Sequence, residues 1–337
     1  MKTFFKFALG FIVVLVLAGA AGFGYLNLAF PKVSPAENFQ VKSTPERLTR
    51  GRYLAENVTG CFGCHSDRYL DRYNFPLKTE TRGQGGFLFD KKLMGLPGSL
   101  SPPNITPYNL KDWTDGEIVR TLRCGVDKNG KALFPLMPYP NFSKLCQEDL
   151  YSIVAYIRSI KPVTNNPPAT KLDFPVNFIV RTIPHDAGAY PPPPDRKNAL
   201  VLGTYLVNAA SCAACHTPVD GHGAPLPGMD FAGGMEFHFP DGSTIRPANI
   251  TPDKKTGIGD WTKDYFIQRF RQGKKMADSG TPVKPGEFNT LMPWPEFGAM
   301  TDGDLGAIYD YLRNNVKPVN HNVEKFTPPR TQTASAK

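Results

Sequence analysis

The sequence predicts an all-α protein made of two tandem helical units behind one apolar N-terminal helix, and three observations carry that reading. The string C-x-x-C-H occurs at Cys61-Phe62-Gly63-Cys64-His65 and again at Cys212-Ala213-Ala214-Cys215-His216. Around each string the same short words return in the same order. Apolar residues follow helical spacing, and no stretch alternates long enough to read as a strand. The 337 residues are 41% hydrophobic, ample for two domains with their own cores. Proline (33) and glycine (31) are abundant but aperiodic, which predicts long turns and excludes collagen. The net charge of +9 is not gathered into a basic run with interleaved aromatics, so nucleic acid is not an expected partner.

From the N-terminus, Lys2 and Lys6 precede an uncharged stretch from Phe7 to Pro31, long enough for the roughly 20 helical residues that cross a bilayer. Residues 1–31 are therefore expected to be a membrane anchor or signal segment. The apolar run exceeds a usual signal core and favours a retained anchor, with Ala18-Gly19-Ala20 leaving a cleaved signal as the rival. The lysines place the N-terminus in the cytoplasm. Everything after Lys32 is then exported, on the periplasmic side of the inner membrane.

Residues 44–163 and 199–320 form the two units. Each opens on a helix, the first capped by Thr44 and the second covering Ala199 to Asn208. A middle helix begins at Thr114, which has capping-box spacing to Glu117. A last helix carries Leu150, Ile153, Val154 and Ile157 and stops before Pro162; Leu305, Ile308 and Leu312 repeat it. The repeated words are Gly51-Arg52-Tyr53-Leu54 and Gly203-Thr204-Tyr205-Leu206, Asn104-Ile105-Thr106-Pro107 and Asn249-Ile250-Thr251-Pro252, and Asp112-Trp113-Thr114 and Asp260-Trp261-Thr262. Arg123-Cys124-Gly125 answers Arg271-Gln272-Gly273, and Leu136-Met137-Pro138-Tyr139-Pro140 answers Leu291-Met292-Pro293-Trp294-Pro295. Between the units, 164–198 is a stiff proline-rich linker, yet Leu172, Phe174, Phe178, Ile179 and Val180 predict that part of it packs on a unit. The tail 325–337 is expected to be disordered.

The two strings call for covalent haem. Each thiol of Cys61, Cys64, Cys212 and Cys215 adds across a haem vinyl group, and the adjacent His65 or His216 reaches the iron as proximal ligand. A thioredoxin-like redox pair has no need of the histidine, and a zinc site would have to draw together strings 151 residues apart. Met137 and Met292 are the candidates for the sixth iron position, each the Met-Pro of its unit in a proline-stiffened loop; a soft thioether suits electron transfer. Met94, Met229, Met235, Met276 and Met300 read as packing residues, and His185, His222, His238 and His321 as surface or structural, with His222 or His238 an alternative to Met292. Arg123, Arg271, Trp113 and Trp261 suit haem propionates or ordinary helix-end and core roles equally. Cys124 and Cys146, without counterparts in the second unit, are expected to form a disulfide.

These strings, Asn-Ile-Thr-Pro segments, Asp-Trp-Thr turns and Met-Pro loops resemble class I cytochromes c. The resemblance covers most of residues 44–320 and is strongest to the cytochrome c subunits of bacterial membrane-bound alcohol and gluconate dehydrogenases. It implies two covalently bound haem c groups held through Cys61, Cys64, Cys212 and Cys215, with iron ligands His65, Met137, His216 and Met292 and no catalytic residue. The expected function is electron transfer from a periplasmic dehydrogenase or quinol to a downstream cytochrome or oxidase. Those subunits usually carry three haem units, and this sequence has two strings. A dihaem peroxidase or thiosulfate-oxidising enzyme is the alternative; it needs an exchangeable axial position, which duplicated Met-Pro loops oppose.

Overall fold

The computed structural model describes residues 2–221 and 223–329. Helix α1 (Lys2–Ala29) leaves most of its apolar length uncovered and meets the linker near its C-terminal end, and it is long and apolar enough to cross a membrane. In the first unit, α2 (Pro45–Tyr53) starts where Thr44 accepts from the Arg47 amide at 3.3 Å and runs on through a π-turn over Leu54–Val58. Helix α3 (Asp115–Cys124) carries the predicted capping box, with Thr114 accepting from the Glu117 amide at 3.1 Å and Glu117 from the Thr114 amide at 2.8 Å. Helix α4 (Gln147–Ser159) closes the unit.

The linker holds a short helical turn, α5 (Val176–Ile179), continued by a 3-10 turn over Val180–Thr182. The second unit repeats the first with α6 (Ala199–Ala209), α7 (Lys263–Asp278) and α8 (Asp302–Asn314). In each unit the first and last helices cross at a glycine. A Cβ on Gly51 would run into the Ser152 carbonyl of α4, and one on Gly203 into the Ala307 carbonyl of α8. Leu54, Val58, Leu150 and Val154, and then Leu206, Leu305 and Leu312, fill the core around these crossings.

The chain is mostly helical rather than purely so. Strands of two residues, β1 (Gly98–Ser99) and β2 (Lys171–Leu172), pair antiparallel and fasten the linker over the first unit. In the second unit β3 (Phe237–His238), β4 (Thr244–Ile245) and β5 (Phe326–Thr327) lie in that order. Ladders this short satisfy backbone groups of long loops and are too brief to leave a period-two signature. The β5 pairing also orders the start of the tail expected to fray; its remainder, 330–337, lies outside the described residues.

The units meet through reciprocal contacts. Tyr53 donates to Asp304 Oδ2 and its counterpart Tyr205 to Asp149 Oδ2, both at 2.6 Å. The Thr301 amide donates to Tyr53 Oη at 3.1 Å, and the Cys146 amide to Tyr205 Oη at 3.2 Å. Burial, reinforced by the facing carboxylate, pushes Tyr53 up to about 12 and Tyr205 further in the same direction, so both stay protonated donors. Cys146 is buried at this seam and Cys124 at the end of α3, and neither is bridged. The expected disulfide is therefore absent. Cys146 faces Tyr205 across the seam, and Cys124 lies against the Ala187 backbone of the linker, so packing accounts for both thiols.

Candidate functional site

Each C-x-x-C-H string begins a single helical turn, Cys61–Cys64 and Cys212–His216, entered through a left-handed residue: Gly60 at φ 59° and Ser211 at φ 56°. One turn brings cysteines three apart to the same side. The histidine that follows is held by its ring. His65 Nδ1 lies 2.8 Å from the Pro103 carbonyl and His216 Nδ1 2.7 Å from the Ala248 carbonyl. A carbonyl only accepts, so each Nδ1 carries the hydrogen and each Nε2 keeps its lone pair. Burial lowers both imidazole pKa values against the opposing pull of the carbonyl, which favours the neutral, ligating form.

Those two carbonyls precede the Asn-Ile-Thr-Pro words, which act as clamps. Asn104 Oδ1 accepts from the Thr106 amide at 2.9 Å and hydroxyl at 2.7 Å, while Nδ2 reaches the Val163 carbonyl at 2.8 Å. Asn249 does the same with Thr251 and Val319 at 2.9, 2.7 and 2.8 Å. Buried at 1% and 4% exposure, the two asparagines tie the segment that orients each histidine to the chain beyond the last helix.

Glycine pairs that sequence reasoning did not single out complete the arrangement. Gly85 donates to the His65 carbonyl at 2.9 Å and Gly233 to the His216 carbonyl at 2.7 Å. At φ 71° and 74°, a Cβ on either would strike the backbone of Pro102–Pro103 or Pro247–Ala248. The signal was present: a Gly-Gly pair stands 20 residues after the first string and 17 after the second.

The Met-Pro loops match in detail. Tyr139 donates its amide to the Met137 carbonyl at 2.8 Å and Trp294 to the Met292 carbonyl at 2.7 Å, each closing an inverse γ-turn on the intervening proline. The aromatic rings then lie against Gly125 and Gly273, where a Cβ would overlap them, which explains the glycine of each Arg-x-Gly word. Met137 and Met292 are both partly buried against the core.

The donor set fits haem c. Two thiols share one turn, an imidazole offers Nε2, and a thioether sits in a rigid loop. The thiols do not suit a redox pair, because burial raises Cys61 to about 11 and Cys212 to about 12. Among the described residues no three His, Cys, Asp or Glu side chains gather as a metal cluster, against the zinc reading.

Other candidates go elsewhere. Arg123 donates to the Gly188 carbonyl at 3.0 Å and stacks on Tyr190, 3.8 Å from its centroid; Arg271 bonds the Gly298 and Met300 carbonyls and pairs with Asp302. Trp113 and Trp261 pack on the core. His185, His238 and His321 bond Ile183, Thr244 and Ala232 through Nδ1. Met300 is buried packing and Met276 is exposed, whereas His222 and the Met94 side chain lie outside the described residues.

A helical domain in which the histidine of C-x-x-C-H is anchored through its ring and a Met-Pro loop follows defines a c-type cytochrome class. Residues 200–315 match the family model described as Cytochrome c, and the second unit is a cytochrome c domain. The chain is similar to the gluconate 2-dehydrogenase cytochrome c subunit of Pantoea cypripedii, 41% identical over 79% of this chain and 59% of that protein. It is also similar to the fructose dehydrogenase cytochrome subunit of Gluconobacter japonicus, 29% identical over 84% of this chain and 55% of the subunit. A diheme cytochrome c-type protein of Cereibacter sphaeroides is 25% identical over 79% of this chain and 88% of its own length. The chain thus spans little more than half the length of these two dehydrogenase subunits.

Proposed function

We propose that the chain is a dihaem c-type cytochrome, anchored by α1 in the inner membrane, that carries electrons from a periplasmic dehydrogenase or quinol to a downstream cytochrome or oxidase. The observation that carries this reading is the duplicated histidine geometry: two rings, each held through Nδ1 by the carbonyl ahead of an Asn-Ile-Thr clamp. Haem c, when bound, supplies a one-electron couple at iron. In the proposed reading Cys61, Cys64, Cys212 and Cys215 would hold the two groups covalently, His65 and His216 would offer Nε2 to iron, and Met137 and Met292 would offer their thioethers. The first unit is then a second cytochrome c domain. Held rigidly, these side chains would keep reorganisation small between redox states.

The likeness to dehydrogenase subunits supports a dehydrogenase donor. The test is a reductive titration of the purified full chain, followed by mixing with a soluble c-type cytochrome as acceptor. Two electron equivalents per chain, passed on to the acceptor, are expected. Uptake of one equivalent, or turnover of peroxide in place of transfer, would overturn the reading.

A further inference from the structure

We infer that the linker segment 173–183 is a second membrane contact, its apolar side chains seated in the outer bilayer leaflet beside the end of α1; this rests on α1 being a retained anchor. With 28 residues, α1 is about 42 Å long at 1.5 Å per residue, longer than the roughly 30 Å hydrocarbon layer. With Lys2 and Lys6 at the cytoplasmic headgroups, about 20 residues of rise from Lys6 bring the outer boundary to the neighbourhood of Leu26. Phe178 of α5 packs on Phe23, with ring centroids 5.0 Å apart. Phe23 lies three residues inside that boundary, about 4–5 Å deep. The linker turn that touches it is thereby brought to the lipid surface.

The two segments are fastened together. Arg181 donates to the Asn27 and Phe30 carbonyls, both at 2.9 Å, where the end of α1 leaves carbonyls without helical partners. Ser34 donates its amide and hydroxyl to Asp186 at 2.9 and 2.7 Å. What this assembly leaves uncovered is apolar: Phe174 is 80% exposed, Ile179 53% and Ile183 38%, next to Leu28 at 90%. A patch of this kind, continuous with a helix that crosses a bilayer, has lipid as its complement. The segment's basic Arg181 is committed to α1 and its acidic Asp173 is exposed, so binding draws on apolar burial rather than on anionic headgroups. Because β2 and the Arg123–Gly188 contact fix the linker to the first unit, the contact also holds that unit close to the membrane plane.

The test uses the full haem-loaded chain in phosphatidylcholine vesicles doped with a diazirine-bearing phosphatidylcholine, irradiated, digested and mapped by mass spectrometry. Cross-links are expected on residues 7–30 and on 172–183. Residues 284–297 serve as the control, since Phe288 there is 45% exposed but remote in sequence from the anchor. Replacing a third of the lipid by phosphatidylglycerol is expected to leave the pattern unchanged. Phe174→Ser with Ile179→Ser, its haem spectrum intact, is expected to reduce labelling of 172–183 several-fold while sparing 7–30. Labelling of 7–30 with 172–183 no higher than the control overturns the inference while the anchor stands. Absence of labelling from 7–30 as well overturns the anchor itself and the inference with it.

Discussion

The first unit and the second build the same histidine anchor from different surroundings. Both keep the Asn–Thr clamp, the Gly-Gly approach, the Met-Pro turn and the glycine crossing of first and last helices. They part at the seam. Asp149 accepts from Tyr205 and also from Arg50 at 2.8 and 2.7 Å, whereas Asp304, in whose unit Leu202 stands in sequence where the first has Arg50, takes its carboxylate bond from Tyr53 alone among the described residues. Arg50, drawn up in pKa by Asp149 against the effect of burial, brings one cation to two buried carboxylates. What repeats is what positions the candidate ligands; what differs serves the contact between units and the wrapping by the linker.

The largest effects should come from the helix crossings, and they should be equal in the two units. Gly51→Ala and Gly203→Ala each force a methyl into a carbonyl of the facing helix and should cost about 3 kcal/mol in urea unfolding of the haem-loaded chain. A cost in one unit only would show that the crossings are not equivalent. Next come the clamps. Asn104→Ala and Asn249→Ala remove the short bonds to a buried threonine hydroxyl and a valine carbonyl, leaving those two groups their longer contact with each other at 3.5 and 3.3 Å, and should each lower stability by about 2 kcal/mol. Each should also perturb the optical spectrum of its own unit's haem alone.

The seam sharpens the contrast. Tyr53→Phe removes the one carboxylate partner of Asp304 and should cost about 2 kcal/mol, against about 1 kcal/mol for Tyr205→Phe, where Arg50 still pairs with Asp149. The reverse order in urea titrations would contradict the assignment. Smallest is the Arg47–Glu148 pair at 2.7 Å, whose hydrogen bond holds the carboxyl below its usual pKa. A carboxyl depressed in the folded state stabilises above its unfolded pKa, and that contribution is lost as pH falls through the folded value. Because the Glu148 side chain is exposed, Glu148→Gln should cost under about 1 kcal/mol at pH 7, and that cost should vanish once the pH has fallen below the folded value.

Much of this was legible because chemistry and capping leave compact signatures. The two strings, the Thr44 cap, the Thr114–Glu117 box and the repeated words needed only local spacing. The reason for the Asn-Ile-Thr-Pro words was not legible, since the Pro103 carbonyl just ahead of the first one meets the ring of His65, 38 residues back, and Asn104 meets the Val163 carbonyl, 59 residues on. The reciprocal Tyr–Asp bonds were hidden for the same reason, spanning 251 and 56 residues. The disulfide expectation failed because an even count of leftover cysteines says nothing about separation in space. Two-residue ladders such as β1 with β2 are too short for any periodicity to register.

The most direct test of the account is low-temperature EPR with optical spectra of the oxidised full chain, haem being quantified per chain. The account predicts two haems per chain, both low-spin and both showing the weak far-red band that the resemblance to Met-ligated cytochromes c implies. A high-spin haem, or one that binds cyanide readily, would mean that Met137 or Met292 does not ligate and that one unit is a reactive site rather than an electron carrier.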